Sequence, residues 1–155
     1  VKLWTARYSH REMGDEGYVP VRISRGAPRF RIPYRVRLQS FVELSPPSWL
    51  LAQSRAGEVG DEAFDGFYVA ALESYGVGVI RGRLEAMDRG SAGNKGLVLL
   101  CFEDIRDFGV RCHRRCFASW WELRTGEVVE ELPGDGKLHA KMDPPWSGPV
   151  LSAGR

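Results

Sequence analysis

The sequence predicts an α/β fold: one three-layer domain with a mostly parallel sheet, followed by an irregular C-terminal tail. Three observations carry this reading. Strand-like and helix-like segments alternate along the chain, the pattern of parallel strands joined by crossovers. "KGLVLLCF", ending at Phe102, is an almost continuous apolar run of strand length, which marks a strand buried on both faces. From Pro133 onward glycine and proline are frequent and periodicity is lost. At 155 residues the chain is long enough for one real core and short for two. The expectation is a Rossmann-like domain over residues 1–132 and a tail over 133–155.

The elements follow in order. "KLWTARY", Lys2 to Tyr8, is apolar and β-prone and opens the sheet. "YVPVRIS", Tyr18 to Ser24, is a second strand, and Pro20 places it near an edge or delays its start. Pro28 and Pro33 exclude a regular helix from the segment that follows. "YRVRLQSFVEL" holds a third strand, and "SPPSWLLAQS" offers Ser45 as a cap with prolines at the first helical positions. "GDEAFDGFYVAALESYG" reads as a helix capped by Asp61, with Phe64, Phe67, Tyr68, Ala71, Leu72 and Tyr75 on one face and Gly76 as its stop. "VGVIRGRLEAMDRG" sets Val77, Ile80, Leu84 and Met87 at helical spacing. A further helix over Arg111 to Arg124 puts Cys112, Cys116, Phe117, Trp120 and Leu123 on one face, and "EVVEEL" supplies a last strand.

Composition narrows the function classes. Hydrophobic residues make up 43% and charged residues 27%, ordinary for a globular protein. No apolar run approaches the roughly 20 residues of a membrane span, and the first residues lack the zones of a secretory signal. Three closely placed cysteines argue against a disulfide framework and for a reducing, cytoplasmic setting. The net charge of +2 is mild, but six arginines fall between Arg22 and Arg37 with no acidic residue among them. Such a local basic segment suits one anionic ligand or a nucleic-acid edge; a solvated arginine-rich loop is the plain alternative.

The densest chemistry lies in "LVLLCFEDIRDFGVRCHRRCFASWWELRTG", Leu97 to Gly126. Cys101, Cys112, His113 and Cys116 supply four soft ligands, enough for a closed zinc site. The spacing argues against one, because adjacent Cys112 and His113 would point about 100° apart on a helix. No metal and no cofactor are therefore expected. A phosphatase-like loop after Cys101 is disfavoured by Glu103, Asp104 and Asp107, whose charges repel phosphate and raise a thiol pKa. Cys112 is better placed for a thiolate, at a helix start beside Arg111 and Arg114. Cys112 and Cys116 as small core hydrophobes is the alternative. The third reading is an anion grip: unpaired N–H groups at the helix start, joined by His113 and Arg114, with Arg22 reaching in from the second strand.

At these residues the chain resembles the domain of unknown function 488 family, a bacterial, archaeal and phage set. "TARYSH" is similar to the family's first strand and aromatic-Ser turn. "VPVRISRGAPRF" matches its second-strand signature through Val21, Arg22, Pro28 and Phe30, with Pro20 where the family usually carries Asp. "LLCFEDIRDFGVRCHRR" matches through Leu99, Leu100, Cys101, Glu103, Cys112, His113 and Arg114. The resemblance covers Lys2 to Phe30 and Leu97 to Leu123. It implies an α/β fold with these signatures at one cleft; the carboxylate usual at Pro20 is missing here, and so is any acid–base role carried there.

The functional expectation is a cytoplasmic protein that binds an anionic, nucleotide-like or nucleic-acid-derived ligand. Its cleft would hold Arg7, Tyr8, Ser9, Arg22, Cys101, Cys112 and Arg114, with Glu103 and His113 as acid–base groups. The alternative is a non-enzymatic nucleic-acid-binding or inhibitor protein that uses Arg29, Arg31 and Arg35, with Phe30 and Tyr34 stacking on bases. No membrane partner is expected.

Overall fold

The computed structural model describes residues 1–14, 17–34, 37–91, 95–106 and 109–134. It is an α/β domain around a five-stranded, all-parallel sheet, with strands β1 (Leu3–Arg7), β2 (Tyr18–Arg22), β3 (Gln39–Ser40), β4 (Gly96–Cys101) and β5 (Glu130–Glu131). Four α-helices complete it: α1 (Ser48–Arg55), α2 (Asp61–Tyr75), α3 (Val77–Arg89) and α4 (His113–Thr125). The strand order is β3-β2-β4-β1-β5. Residues 135–155 of the expected tail, and Arg35 and Asp107, lie outside the described residues.

The apolar run predicted to be central is central. All six residues of β4 are buried, and β4 pairs with β1 on one side and β2 on the other. Alternation along the strands divides the core in two. Leu3, Val19, Val21, Ile23, Leu97 and Leu99 face the helices and pack with Tyr68, Leu72, Ile80, Leu84, Phe117, Trp120 and Trp121. Ala6, Tyr8, Val98 and Leu100 face the other way and are covered by Met13, Tyr34 and Leu132. Among the described residues, the layer on that second face is built from irregular segments and the short 3-10 turn Arg11–Gly14, not from an α-helix.

The connections obey one rule. β1 to β2 and β2 to β3 run one way along the sheet, over the irregular face, while β3 to β4 and β4 to β5 run the opposite way, over the helical face. Reversing direction and face together keeps one hand for every crossover, as parallel strands require.

Several local expectations change. Pro20 sits inside β2, with strands on both sides. Ile23 N–H donates to the Leu100 carbonyl, so by alternation the Pro20 nitrogen points away from β4. On that side β3 pairs only with Val21 and Arg22, so Pro20 leaves no partner without a donor. Helix α1 begins at Ser48 behind Pro47, and the Ser45 hydroxyl instead donates to the Val42 carbonyl at 2.5 Å. Gly60 precedes α2, with Asp61 inside its first turn, where the helix dipole favours a carboxylate. Phe67, Tyr75 and Leu123, expected on buried faces, are exposed, whereas Asp65 and Trp121 are buried.

Candidate functional site

The carboxyl ends of β1, β2 and β4 and the start of α4 meet at one edge of the sheet. Cys101 ends β4 with its side chain toward the helices, while the chain continues through Phe102 and Glu103 and returns at Cys112. Cys112 is extended, at φ −140° and ψ 137°, and immediately precedes the first helical residue, His113. The angular argument against a shared Cys112–His113 site assumed that both were helical, and it fails here. His113 Nδ1 lies 3.6 Å from Cys101 Sγ and 4.0 Å from Cys112 Sγ. All three candidate ligand atoms fall within 4.8 Å of one another.

Each member is held from outside the group. His113 Nε2 lies 2.9 Å from the Ile23 carbonyl, an acceptor, so this nitrogen carries the proton and Nδ1 presents its lone pair to the sulfurs. Tyr68 of α2 packs edge-on against the imidazole at 5.5 Å and donates its hydroxyl to the Leu44 carbonyl at 2.5 Å. Arg111, just before α4, pairs with the buried Asp65 of α2, which docks the loop onto the helical layer. Cys101 Sγ lies 3.2 Å from Glu103 Oε2. Cys116, one turn further on, lies in the core, where burial pushes its thiol up to about 12.

The charges around these groups differ sharply. The hydrogen bond with Cys112, then burial, then the Cys112 and Glu103 charges hold the Cys101 thiol well above its ordinary range. Burial alone would raise Cys112 too. The hydrogen bond with Cys101, the neighbouring His113 and the Arg114 charge outweigh it and bring Cys112 well below. Of the two thiols, Cys112 is the more acidic. Glu103 is exposed as a residue, yet its carboxyl end rests against Cys101; desolvation and the Cys112 charge raise its pKa.

Arg114 does not face a ligand. It is 1% exposed, and its guanidinium spans Glu131 of β5 at 2.7 Å and the Glu103 carbonyl at 2.8 Å. Burial works against its charge, but Cys112 and Glu131 outweigh burial. The expected gripping arginine is a buried brace between the β4 loop and β5.

Tyr8 and Arg22 occupy the opposite side of the same edge, whereas Arg7 alternates with Ala6 and Tyr8 and falls on the helical side with Leu3. Tyr8, beyond β1, shares a 2.5 Å hydrogen bond with Ser24, beyond β2, and burial pushes its hydroxyl up to about 12 against the Ser24 bond and the Arg22 charge. Alternation along β2 puts Arg22 on this face, opposite Val21 and Ile23. Arg22 and His113 thus lie on the two sides of the sheet edge, not within one cluster. Arg22 donates to Ser40 Oγ at 3.3 Å and makes no ion pair among the described residues. Arg7 is spent on Asp104 at 3.0 Å; the Arg106 hydrogen bonds and the Arg7 charge hold that carboxyl at about 2. Ser9 is half-buried beside Tyr8.

The basic segment splits as well. Tyr34, expected to stack on bases, is 6% exposed and belongs to the core of the irregular face, its hydroxyl without a partner among the described residues. Phe30 is 48% exposed and meets the 41% exposed Phe102 edge-on, with ring centres 6.4 Å apart. Arg29 and Arg31 are exposed and make no ion pair among the described residues.

Sequence reasoning missed Ile23, Phe102, Asp65 and Glu131. The Ile23 and Phe102 roles follow from strand ends meeting in space, which no spacing encodes. Glu131 had a signal, a charge at alternate spacing from the buried Val129 in "EVVEEL". Comparison with protein-family models, curated proteins and solved structures finds no match.

Proposed function

We propose that the protein binds a small anionic, nucleotide-like ligand across the carboxyl edge of its sheet, between the ends of β2 and β4. The observation that carries this reading is topological. These neighbouring strands send their chains to opposite faces, β2 over the irregular face and β4 into α4 on the helical one. Open parallel sheets bind ligands in the crevice that such divergence leaves. The chemistry beside it agrees. Arg22 offers a cation bonded only to a hydroxyl, and Phe102 and Phe30 offer exposed rings for a planar group. Across the edge, Cys112 is the nucleophile, His113 the base that faces it through Nδ1, and Glu103 the proton carrier nearest solvent.

The test is a thermal-shift screen with nucleotides, sugar phosphates and dinucleotides. A ligand at a hundredfold excess over its Kd should stabilise the fold by about 2.7 kcal/mol. Arg22→Ala should remove about 1.5–3 kcal/mol of that binding. Stabilisation untouched by Arg22→Ala, or none with any anion, would overturn the proposal. A second reading, a single-stranded nucleic acid along Arg29, Phe30 and Arg31, is favoured by the exposed Phe30 ring between two unpaired arginines. It requires binding that weakens with salt and survives Arg22→Ala, with a slope that falls by about 1.4 when Arg29 and Arg31 are both replaced.

A further inference from the structure

We propose that Cys101, Cys112 and His113 form a binding site for one zinc ion, with two sulfurs and the imidazole Nδ1 as ligands and the fourth position left to a water. This reverses the expectation drawn from sequence spacing; with the ion bound, Cys112 and His113 are its ligands and no longer nucleophile and base, so of the proposed function only the Arg22 side of the anion site is left untouched.

The separations are those of a coordination shell. Zinc–sulfur bonds of about 2.3 Å and zinc–nitrogen bonds of about 2.0–2.1 Å in a tetrahedron set sulfur–nitrogen edges of about 3.6 Å. The two edges here are 3.6 and 4.0 Å. All three ligand atoms lie within 4.8 Å of one another, so a small inward adjustment closes the shell.

The surroundings are those of a metal-binding histidine. A ligating imidazole usually donates its second nitrogen to a carboxylate or backbone carbonyl, which fixes its tautomer and aim. His113 does this through Nε2 to the Ile23 carbonyl, while Tyr68 holds the ring from the side. Nδ1 is thereby committed to the sulfurs before any ion arrives. The ligands also sit on rigid supports, the end of the central strand and the start of α4, with Arg111–Asp65 and Arg114–Glu131 as anchors. Little ordering remains for the metal to induce.

The donor set selects the ion. Two sulfurs and an imidazole exclude magnesium and calcium, which take oxygen ligands, and suit zinc. Two thiolates neutralise a divalent cation. The ion takes the place of the thiol protons, which pass to solvent, and no oxidation is involved. Glu103 Oε2 lies 3.2 Å from Cys101 Sγ but is not among the mutually close ligand atoms, so a water completes four-coordination. Two cysteines, one histidine and an open position is a donor pattern of catalytic rather than structural zinc.

The test uses the whole chain, reduced and freed of metal by a chelator, then titrated with zinc and separately with cobalt. The expected result is one ion per chain with submicromolar affinity. Cobalt should add thiolate-to-metal charge-transfer absorption and the visible bands of a tetrahedral site. Cys112→Ser and His113→Ala should each weaken zinc by more than the ~10–100-fold typical for loss of an outer partner. Cys116→Ala, in the core, should keep the stoichiometry and the cobalt spectrum. The cobalt spectrum of the unmutated protein decides the matter even if a variant fails to fold. Its absence from folded, reduced protein, its persistence in Cys112→Ser, or a Cys101–Cys112 disulfide that survives reductant would each overturn the proposal.

Discussion

Arg114 shows how one residue changes meaning between sequence and structure. At a helix start beside Cys112 and His113 it looked like a ligand-gripping cation, and it is a buried brace instead. The reason is rotation. Successive helical residues turn about 100°, so when His113 faces the end of β2, Arg114 swings toward β5 and Glu131. Sequence gives which residues make the first turn, but not how that turn is rotated against the sheet. The brace predicts a stability effect. Glu131→Gln keeps the size and removes the charge, leaving a guanidinium that cannot return to water. Urea unfolding should report a loss of about 1.5–3 kcal/mol, the worth of a charged hydrogen bond inside a protein. A loss below about 0.5 kcal/mol would mean that Arg114 is satisfied without its partner.

Among the elements, β4 carries the most constraint in the fewest residues. Its first residue, Gly96, has a φ of +110° and lies against the backbone carbonyl of Lys2, so an added methyl group would meet main chain at once. Lys2 cannot yield, because its carbonyl accepts the Leu97 N–H at 2.9 Å and begins the β1–β4 register. Gly96→Ala should therefore cost at least about 2 kcal/mol, measurable as a lowered denaturation midpoint. Gly82→Ala in α3 has open space around the new methyl and an ordinary helical backbone; it should stabilise by up to about 1 kcal/mol. β1, β2, β4 and the helical segments were legible because each carries enough apolar residues to show its period. β3 and β5 fall within the segments expected to hold a third and a last strand, but they span two residues each, too few for any period to mark their bounds, and their places in the sheet depend on neighbours that sequence does not reveal. The site was legible as one stretch, Cys101 to Arg114. Its division by the sheet edge was not, because facing depends on which way each strand leaves the sheet. Tyr34 was misread for a similar reason: in an arginine-rich segment nothing marks the one ring that turns inward.

At the scale of the molecule, β1 and β2 are joined only through β4, which lies more than seventy residues later in the chain. The sheet is therefore one cooperative unit with a single keystone. Hydrogen exchange should show this as a gradient. Amides of Leu97 to Leu100 should open only with global unfolding, while those of the two-residue strands β3 and β5 exchange first. Equal protection across all five strands would contradict the gradient. The same keystone governs the order in which the chain can fold during synthesis. When β1 leaves the ribosome it has no strand to pair with, and β2 gains only the two-residue β3; their apolar faces wait through the whole making of α1, α2 and α3. Only when Gly96–Cys101 emerges does the gap between them close, and the cysteine that arrives last on that strand then finds Cys112 and His113 only after another dozen residues have followed. A nascent chain stopped before residue 96 would hold helices and at most the short β2–β3 pairing, and would depend on chaperones to keep those faces apart from other chains.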